Sequence, residues 1–198
     1  MKKAKAGGQP GELHILHYGA EVLRKSAARI SKVSAALKAL AAEMHTLMQR
    51  HNGIGLAAPQ VGVGKQLAVV NIGEGSTVLV NPRLLHKEGE EVMVEGCLSL
   101  PGLYGEVKRA AKVTVAATDL SGKKMKIEAE GMLARVLQHE IDHLQGRLFI
   151  DRVDESTLHW LLRPAGSSES EEGMPTEPLT VPTTLQDALR VFTSKPCS

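Results

Sequence analysis

The chain has 198 residues, of which 42% are hydrophobic and 23% are charged, and its formal net charge is +2. These values fit one well-buried core plus an extension. No apolar run approaches the roughly 20 residues that a membrane helix requires, no secretory signal follows the basic start, and two cysteines exclude a disulfide framework. We therefore expect a cytoplasmic protein without a membrane role.

The positive charge is concentrated before Pro164. Residues 1–163 contain 22 basic and 17 acidic side chains, whereas the remaining residues contain two and five. This surplus is far from that of a nucleic-acid-binding protein. We therefore expect an ordinary solvated surface and no sequence-specific recognition of nucleic acid.

The first half of the chain begins with a predicted helix and continues with short strands. Apolar residues recur every three to four positions over 34–53, and Asn52-Gly53 is a typical helix end. Two β-type runs follow at 66–72 and 76–82. We expect Pro82 to end the second run.

The second half contains a predicted hairpin and a second long helix. Runs at 112–119 and 123–130 flank the turn residues Ser121-Gly122, a pattern typical of a β-hairpin. Residues 131–146 show helical periodicity and end at Gly146. A further short helix is predicted at 154–163.

The C-terminal part changes in composition. Residues 164–182 are rich in Pro, Ser, Thr, Gly and Glu, which bury too little apolar surface to offset chain entropy. Residues 184–192 have apolar side chains at helical spacing, with Thr184 as a candidate N-cap. We therefore predict one domain over 1–163 and a mostly disordered extension over 164–198 with at most a short, weakly docked amphipathic helix at 184–192.

The segment QHEIDHLQG at 138–146 has the spacing of a helical metal site. His139 and His143 lie four residues apart, so both imidazoles project from the same side of a helix and can reach one ion. Glu140 lies beside them and can accept a proton from a water on that ion. Two imidazoles alone do not make a catalytic site, which typically has three protein ligands.

The third ligand must come from another segment. Position 149, where one class of metalloproteases has a third histidine, is Phe149. The acids at 169–172 lie in the predicted disordered stretch. Upstream, EGCLSLPG at 95–102 offers Cys97, whose thiolate is a good ligand for divalent transition metals. The alternative is that Cys97 is a small buried apolar residue.

A glycine-containing segment at 53–62, GIGLAAPQVG, superficially matches a dinucleotide-binding loop. A strand should precede the first glycine of such a loop, but the preceding residues have a helical pattern, and Pro59 disfavours a helix start there. We reject that interpretation. Gln60 is the polar residue of this apolar segment, and its amide can donate a hydrogen bond.

Taken together, GIGLAAPQ, EGCLS and QHEIDH resemble the three signature motifs of the peptide deformylase family. The resemblance covers roughly residues 12–160, with supporting matches at Asn81-Pro82, Val107 and Arg109. It implies an α+β fold, in which antiparallel β-sheets surround a central helix that contains the HExxH motif. It also implies hydrolytic removal of the N-formyl group from the initiator methionine of nascent chains, with release of formate.

The resemblance also implies roles for individual residues. The implied metal ligands are Cys97, His139 and His143, the implied general base is Glu140, and the oxyanion would be stabilised by Gln60 and the backbone N–H of Leu98. The methionine side chain would be surrounded by Ile54, Gly55, Leu98 and Val136. An ion pair that steadies the ligand helix is implied between Arg109 and Asp142. Many bacterial members have an arginine where this chain has Tyr104, so Tyr104 is expected to contact the peptide beyond methionine.

The resemblance further implies one divalent ion, with Fe²⁺ expected and Zn²⁺, Ni²⁺ or Co²⁺ as alternatives. The expected partners are a formyl-methionyl peptide and the nascent chain near the ribosome, and we expect a monomer. Two other functions remain open at this point. One is a zinc endopeptidase that uses HExxH alone, and the other is a catalytically silent homologue that serves as a binding module at the ribosomal exit.

Overall fold

A computed structural model describes residues 13–73, 75–162 and 179–193. Within these ranges, no helix has both the length and the apolar character that crossing a membrane requires. The helices are α1 (Ala35–Arg50), α2 (Gly131–Leu144) and α3 (Leu185–Thr193). The strands are β1 (Gly55–Ala57), β2 (Leu67–Asn71), β3 (Ser76–Glu88), β4 (Glu91–Cys97), β5 (Leu100–Arg109), β6 (Lys112–Thr118), β7 (Lys124–Glu130), β8 (His159–Leu162) and β9 (Leu179–Pro182).

The strands form two antiparallel sheets. One has five strands in the order β1-β2-β3-β6-β7, and the other has four in the order β4-β5-β8-β9. All pairings between these strands are antiparallel. The α+β fold class expected from the sequence is therefore confirmed.

Helix α2 is the central element of the five-stranded sheet's core. Its apolar side chains Val136, Leu137, Ile141 and Leu144 are all at most 5% exposed, and they pack against buried side chains of β2, β3 and β6. Burial of each such side chain contributes about 1.5–3 kcal/mol. The HExxH motif is thus placed on a helix with little freedom to move.

Helix α1 covers the opposite face of the same sheet, because the residues of β2 in its cluster, Leu67 and Val69, alternate with Ala68 and Val70 of the α2 cluster. The side chain of Ser34 caps α1 by accepting a hydrogen bond from the backbone N–H of Leu37 at 3.2 Å. It ends near Asn52, which has a left-handed φ of 52°. Its apolar side packs on β1 and β2 through Leu37, Ala41, Met44, Leu47 and Met48. The N-terminal helix predicted from the sequence is therefore confirmed.

A third cluster joins α3 to the four-stranded sheet. Four of the five aromatic residues in the chain belong to it, namely Tyr18, Phe149, Trp160 and Phe192. Ala188 of α3 is fully buried in this cluster, and Cys97 packs against its edge. The helix expected at 184–192 therefore forms as α3, and it contacts the body of the protein.

One prediction from the sequence is wrong in the middle of the chain, and three strands were missed. Strand β3 does not end at Pro82 but continues to Glu88. A register shift between Val80 and Arg83 accommodates the proline, which has no N–H to donate, and Asn81 takes a left-handed φ of 51° there. The short strands β1, β4 and β5 were not predicted at all.

The predicted helix at 154–163 is also wrong. Residues Glu155–Thr157 form a single 3-10 turn, capped by Asp154, and the chain then enters β8. Pairing of β8 with both β5 and β9 overrides the helical periodicity.

Disorder was predicted as far as residue 182, but residues 179–182 form β9 against β8. The strand pairing supplies the hydrogen bonds and contacts that the composition alone did not indicate. The rest of the predicted disordered stretch, residues 164–178, lies outside the described residues.

Packing of α3 can be tested with Phe192→Ala. The Phe192 ring lies 6.4 Å from that of Tyr18 and 5.8 Å from that of Trp160, measured between ring centroids. Its removal should lower the free energy of unfolding by about 1–2 kcal/mol. Denaturant titration followed by the fluorescence of Trp160, the only tryptophan in the sequence, measures this change.

The matched control is Gln186→Ala on the exposed side of α3, which should change the free energy of unfolding by less than about 0.5 kcal/mol. Identical unfolding midpoints for Phe192→Ala, the control and the unaltered protein would contradict the packing of α3 on this cluster.

Candidate active site

Three potential metal ligands converge between α2 and β4. Cys97 is the last residue of β4, where the register with β5 shifts, and His139 and His143 are one turn apart on α2. Cys97 Sγ lies 3.3 Å from His143 Nε2, and His143 Nε2 lies 3.2 Å from His139 Nε2. The ligand atoms of the three residues all lie within 4.8 Å of one another.

These distances suit a shared tetrahedral ion. Metal–nitrogen bonds of about 2.1 Å and a metal–sulfur bond of about 2.3 Å place the donor atoms of such an ion roughly 3.3–3.7 Å apart. A thiolate with two imidazoles fits a divalent transition metal better than Ca²⁺ or Mg²⁺, which prefer oxygen ligands. Three protein ligands leave a fourth position for water or substrate. The donor set therefore fits a catalytic metal.

Glu140 is held next to these ligands. Its carboxylate is 2% exposed, and Oε2 is buried without a hydrogen-bond partner among the described residues. A Cβ at Gly55 would collide with Oε1 of Glu140 and with the side chain of Val136. Only glycine therefore lets β1 approach the carboxylate so closely, and one carboxylate oxygen is left available for a reacting molecule.

Gln60 is oriented by the segment that contains it. Its Oε1 accepts a hydrogen bond from the backbone N–H of Ala57 at 2.8 Å. Its Nε2 therefore points the other way and donates to Ser99 Oγ at 3.2 Å and to Cys97 Sγ at 3.5 Å. The Nε2 donor of Gln60 is therefore fixed beside Cys97 Sγ. Leu98 lies in the turn between Cys97 and Ser99, the two residues that this donor contacts.

A buried carboxylate fixes the orientation of His139. Glu95, on the side of β4 that faces α2, lies with Oε2 2.9 Å from His139 Nδ1. Arg109 donates to both oxygens of Glu95, at 2.6 and 2.9 Å, and Arg135 donates to Oε1 at 2.7 Å. With Nδ1 engaged, Nε2 of His139 is the nitrogen left for a metal.

The network continues along α2 through Asp142. Arg109 donates to Asp142 Oδ2 at 2.7 Å, so the expected Arg109–Asp142 ion pair is confirmed and is buried. Arg152 donates to both oxygens of Asp142, at 2.7 and 2.8 Å. The carboxylates of Glu95 and Asp142 therefore share Arg109, and together they tie α2 to β4, β5 and the segment after α2.

The two histidines differ in charge. Burial would lower the pKa of His139, but hydrogen bonds with Cys97 and Glu95 outweigh burial and raise it to about 10. Burial holds the pKa of His143 well below its usual value, and positive charge on His139 lowers it further. The imidazole of His143 is therefore neutral, and a metal ion bound by these residues would have to displace the proton of His139.

The two buried glutamates also differ. Burial raises the pKa of Glu140 to about 7, because the positive charges of His139 and Arg109 only partly offset it. Burial opposes ionisation of Glu95 as well, but hydrogen bonds from His139 and Arg109 hold its pKa well below its usual range. Glu95 is therefore a permanent anion, whereas Glu140 can exchange a proton near neutral pH.

The residues predicted to contact substrate lie around Glu140 and Cys97. Ile54 is 44% exposed next to Gly55, and Leu98 packs against the backbone of Gly53. Tyr104 is on β5, opposite Gly96 of β4, and its ring occupies the space that a Cβ at Gly96 would need. Apolar and aromatic side chains therefore lie beside the potential metal ligands.

Four contributors escaped the sequence-based reasoning: Glu95, which was part of the EGCLS motif but was assigned no role, and Arg135, Arg152 and Ser99. Arg135 and Arg152 bind the carboxylates of Glu95 and Asp142, and Ser99 accepts a hydrogen bond from Gln60. A lone arginine on a helix gives no signal for a buried partner 40 residues away. Ser99 was at least contained in the EGCLS motif.

The model of the polypeptide deformylase family matches residues 12–159. The peptide deformylase of Caldicellulosiruptor bescii is 52% identical over 136 residues, which cover 69% of this chain and 82% of that protein. The peptide deformylase of Desulfitobacterium hafniense is 47% identical over 143 residues, which cover 72% and 95%.

Solved structures give the same result. A peptide deformylase from Legionella pneumophila superimposes with a TM-score of 0.70 at 44% identity, covering 73% of this chain and 87% of that chain. One from Synechococcus elongatus in complex with actinonin has a TM-score of 0.71 at 42% identity, covering 78% and 84%. Sequence, fold and the arrangement of potential ligands agree, and the chain belongs to the polypeptide deformylase family.

Proposed function

We propose that this chain is a metal-dependent hydrolase that removes the N-formyl group from the initiator methionine of nascent polypeptides and releases formate. The observation that supports this most directly is the convergence of Cys97, His139 and His143 beside Glu140 in a member of the polypeptide deformylase family. The reaction is hydrolysis of a formamide, so a water must be activated and an amine must be protonated as it leaves.

Cys97, His139 and His143 would hold one divalent metal ion, for which Fe²⁺ is our inference by family resemblance, with Zn²⁺, Ni²⁺ and Co²⁺ as alternatives. Such an ion acts as a Lewis acid and lowers the pKa of a water in its open position. Glu95 keeps the ring of His139 in the orientation that leaves Nε2 for this ion.

Glu140 would serve as the general base and then as the general acid. Its Oε2 is buried and has no hydrogen-bond partner within the described residues, while Oε1 lies against Gly55 of β1. It accepts a proton from the attacking water and passes the proton to the departing amine. A pKa near 7 suits both steps, because the carboxylate can release what it has accepted.

Gln60 and Leu98 would stabilise the developing oxyanion. The Nε2 of Gln60 is preorganised beside Cys97 because Ala57 holds the other end of the amide. The backbone N–H of Leu98, next to Cys97, is the second proposed donor. Loss of one such donor typically costs about 3–4 kcal/mol of transition-state stabilisation.

The peptide would bind along β1. This strand is at the edge of its sheet and pairs only with β2 among the described strands, so an extended peptide can add to its free side. Ile54, Gly55, Leu98 and Val136 would surround the methionine side chain, and Tyr104 would contact the following residues. We further infer a monomer that acts on nascent chains near the ribosome in the cytoplasm.

One experiment tests the proposed function as a whole. Protein purified without oxygen is analysed for metal and assayed for formate release from formyl-Met-Ala-Ser. We expect one equivalent of a divalent transition metal and metal-dependent formate release. Cleavage of internal peptide bonds without formate release would favour an endopeptidase, and no turnover in the metal-loaded protein would favour a binding module.

The role of Glu140 is tested by Glu140→Ala. Because this residue is not proposed as a ligand, the variant should keep about one equivalent of metal while kcat/KM for the formyl peptide falls by about 10² to 10⁴-fold. Metal analysis and the formate assay measure the two effects separately. Near-normal turnover in the metal-loaded variant would refute the assignment of the base.

The role of Cys97 is tested by Cys97→Ser. Serine stays protonated where a thiolate binds, so the affinity for metal should fall by more than about 100-fold and activity should fall with it. Competition with a chelator measures the affinity, and circular dichroism checks that the protein remains folded. Undiminished metal affinity would mean that another residue is the third ligand.

The pH dependence of activity follows from the raised pKa of Glu140. The general base must be ionised, so kcat/KM should decrease as the pH falls through that pKa. Burial sets the pKa at about 7, and a cation at the site favours the ionised form, so the inflection should lie at or below pH 7. A profile for the formyl peptide that stays flat down to about pH 5, with the metal retained, would contradict this role.

A further inference from the structure

A cavity of about 510 Å³ opens on a different side of α2 from the metal ligands. Gln138, Ile141, Asp142 and Gln145 form its α2 wall at three-to-four spacing, whereas His139 and His143 point toward Cys97. The opposite wall is the β3–β4 turn and the end of β5. This volume is within the range of small-molecule sites, about 300–1,000 Å³, and the proposed reaction does not use it.

Positive charge predominates in the lining. Five basic side chains face three acidic ones: Lys87, Lys108, Arg109, Arg147 and Arg152 against Glu88, Glu90 and Asp142.

The acids do not neutralise all of these cations. Lys108 is paired with Glu90 at 3.0 Å, whereas Lys87 and Arg147 form no ion pair with any described residue. Glu88 likewise forms no ion pair with a described residue, so the uncompensated charge of the lining is two cations against one anion. An anion that contacts Lys87 and Arg147 would break no existing ion pair.

The inner wall is preorganised. Asp142 accepts hydrogen bonds from Nε and Nη2 of Arg152 and from Arg109, so both guanidinium groups are held in place. Nη1 of Arg152, on a side chain that is 33% exposed, makes no hydrogen bond within the described residues. The backbone N–H of Arg147 donates to the carbonyl of Asp142 at 2.9 Å, which fixes this residue at the rim. An arginine that is already ordered loses less entropy when it binds an anion.

We propose that this cavity is a binding site for a small organic phosphate, with Arg147, Arg152 and Lys87 as its cationic contacts. The two unpaired cations Lys87 and Arg147 favour a multiply charged phosphate over a single carboxylate, because Coulomb attraction scales with the product of the charges, and Nη1 of Arg152 is a further donor. Arginine donors match phosphate oxygens in a bidentate geometry. The apolar side chains of Leu84 and Ile141 also line the cavity and would contact the organic part of the ligand.

The test uses pyrophosphate and a nucleoside monophosphate as probes on the full-length protein, loaded with its metal. Binding is measured by calorimetry at low ionic strength, about 50 mM salt. We expect the nucleoside monophosphate to bind with a Kd below about 1 mM. Arg147→Glu should weaken this binding by at least about tenfold, and Lys87→Glu should weaken it as well. Pyrophosphate shows whether phosphate groups alone suffice, and a preference for the monophosphate would support contacts to the organic part.

The matched control is Lys38→Glu, an exposed lysine on α1. It changes the net charge equally, and it should leave binding unchanged. Equal loss of binding in Lys38→Glu and Arg147→Glu would show a general charge effect and would overturn the proposed site. Undiminished binding in Arg147→Glu would indicate that the probe binds at the metal, and it would also overturn the proposed site. Absence of binding at about 10 mM probe would also overturn it. Formate release from a short formyl peptide should be unaffected by Arg147→Glu, so failure of this site leaves the proposed function intact.

Discussion

The rest of the site depends on the hydrogen bonds and ion pairs that the carboxylate of Glu95 forms. It is 6% exposed, and it is bound by Arg109 from β5 and by Arg135 and His139 from α2. A buried charge is tolerated only when it is paired and hydrogen-bonded, and removing one partner of such a pair costs about 3–5 kcal/mol. The four-stranded sheet and α2 therefore cannot separate or slide without leaving charges unpaired. Since Cys97 belongs to the sheet and the histidines to the helix, the same constraint keeps the three ligand atoms together.

Close backbone approach is the second requirement of the site. Gly55 allows β1 to lie against the carboxylate of Glu140, and Gly96 allows the ring of Tyr104 to lie against β4. Both glycines are needed for contact rather than for an unusual backbone angle, because neither has a positive φ. As a result, the carboxylate of Glu140, the potential metal ligands and the amide of Gln60 lie close together, and Gln60, Glu140 and His143 are each at most 2% exposed.

The parts of the site that were predicted from the sequence are those fixed by local geometry. Two histidines four residues apart on a helix must share a side, so His139 and His143 needed no knowledge of the fold. Cys97 was identified because the residues after α2 offered no suitable ligand and because its motif has a familiar context. Arg135 was missed because its partner Glu95 is 40 residues away, and Arg152 was missed because it lies outside α2, where no helical spacing links it to Asp142. Contacts with other segments also explain β8, whose helical periodicity is overruled by pairing with β5 and β9.

The C-terminal helix and the cavity behind α2 both connect to this framework. The aromatic cluster under α3 includes Phe149, from the segment that follows α2, and Cys97 packs against its edge. On the other side of α2, Asp142 orients Arg152 at the cavity wall and also binds Arg109, which in turn binds Glu95. One continuous set of hydrogen bonds thus runs from the cavity wall to Nδ1 of His139. The side chains in this set are charged and most are buried. A displacement of Arg152 would therefore leave the carboxylate of Asp142 without two of its hydrogen bonds. The proposed metal ligand His139 and the cavity wall therefore share a single hydrogen-bonded support.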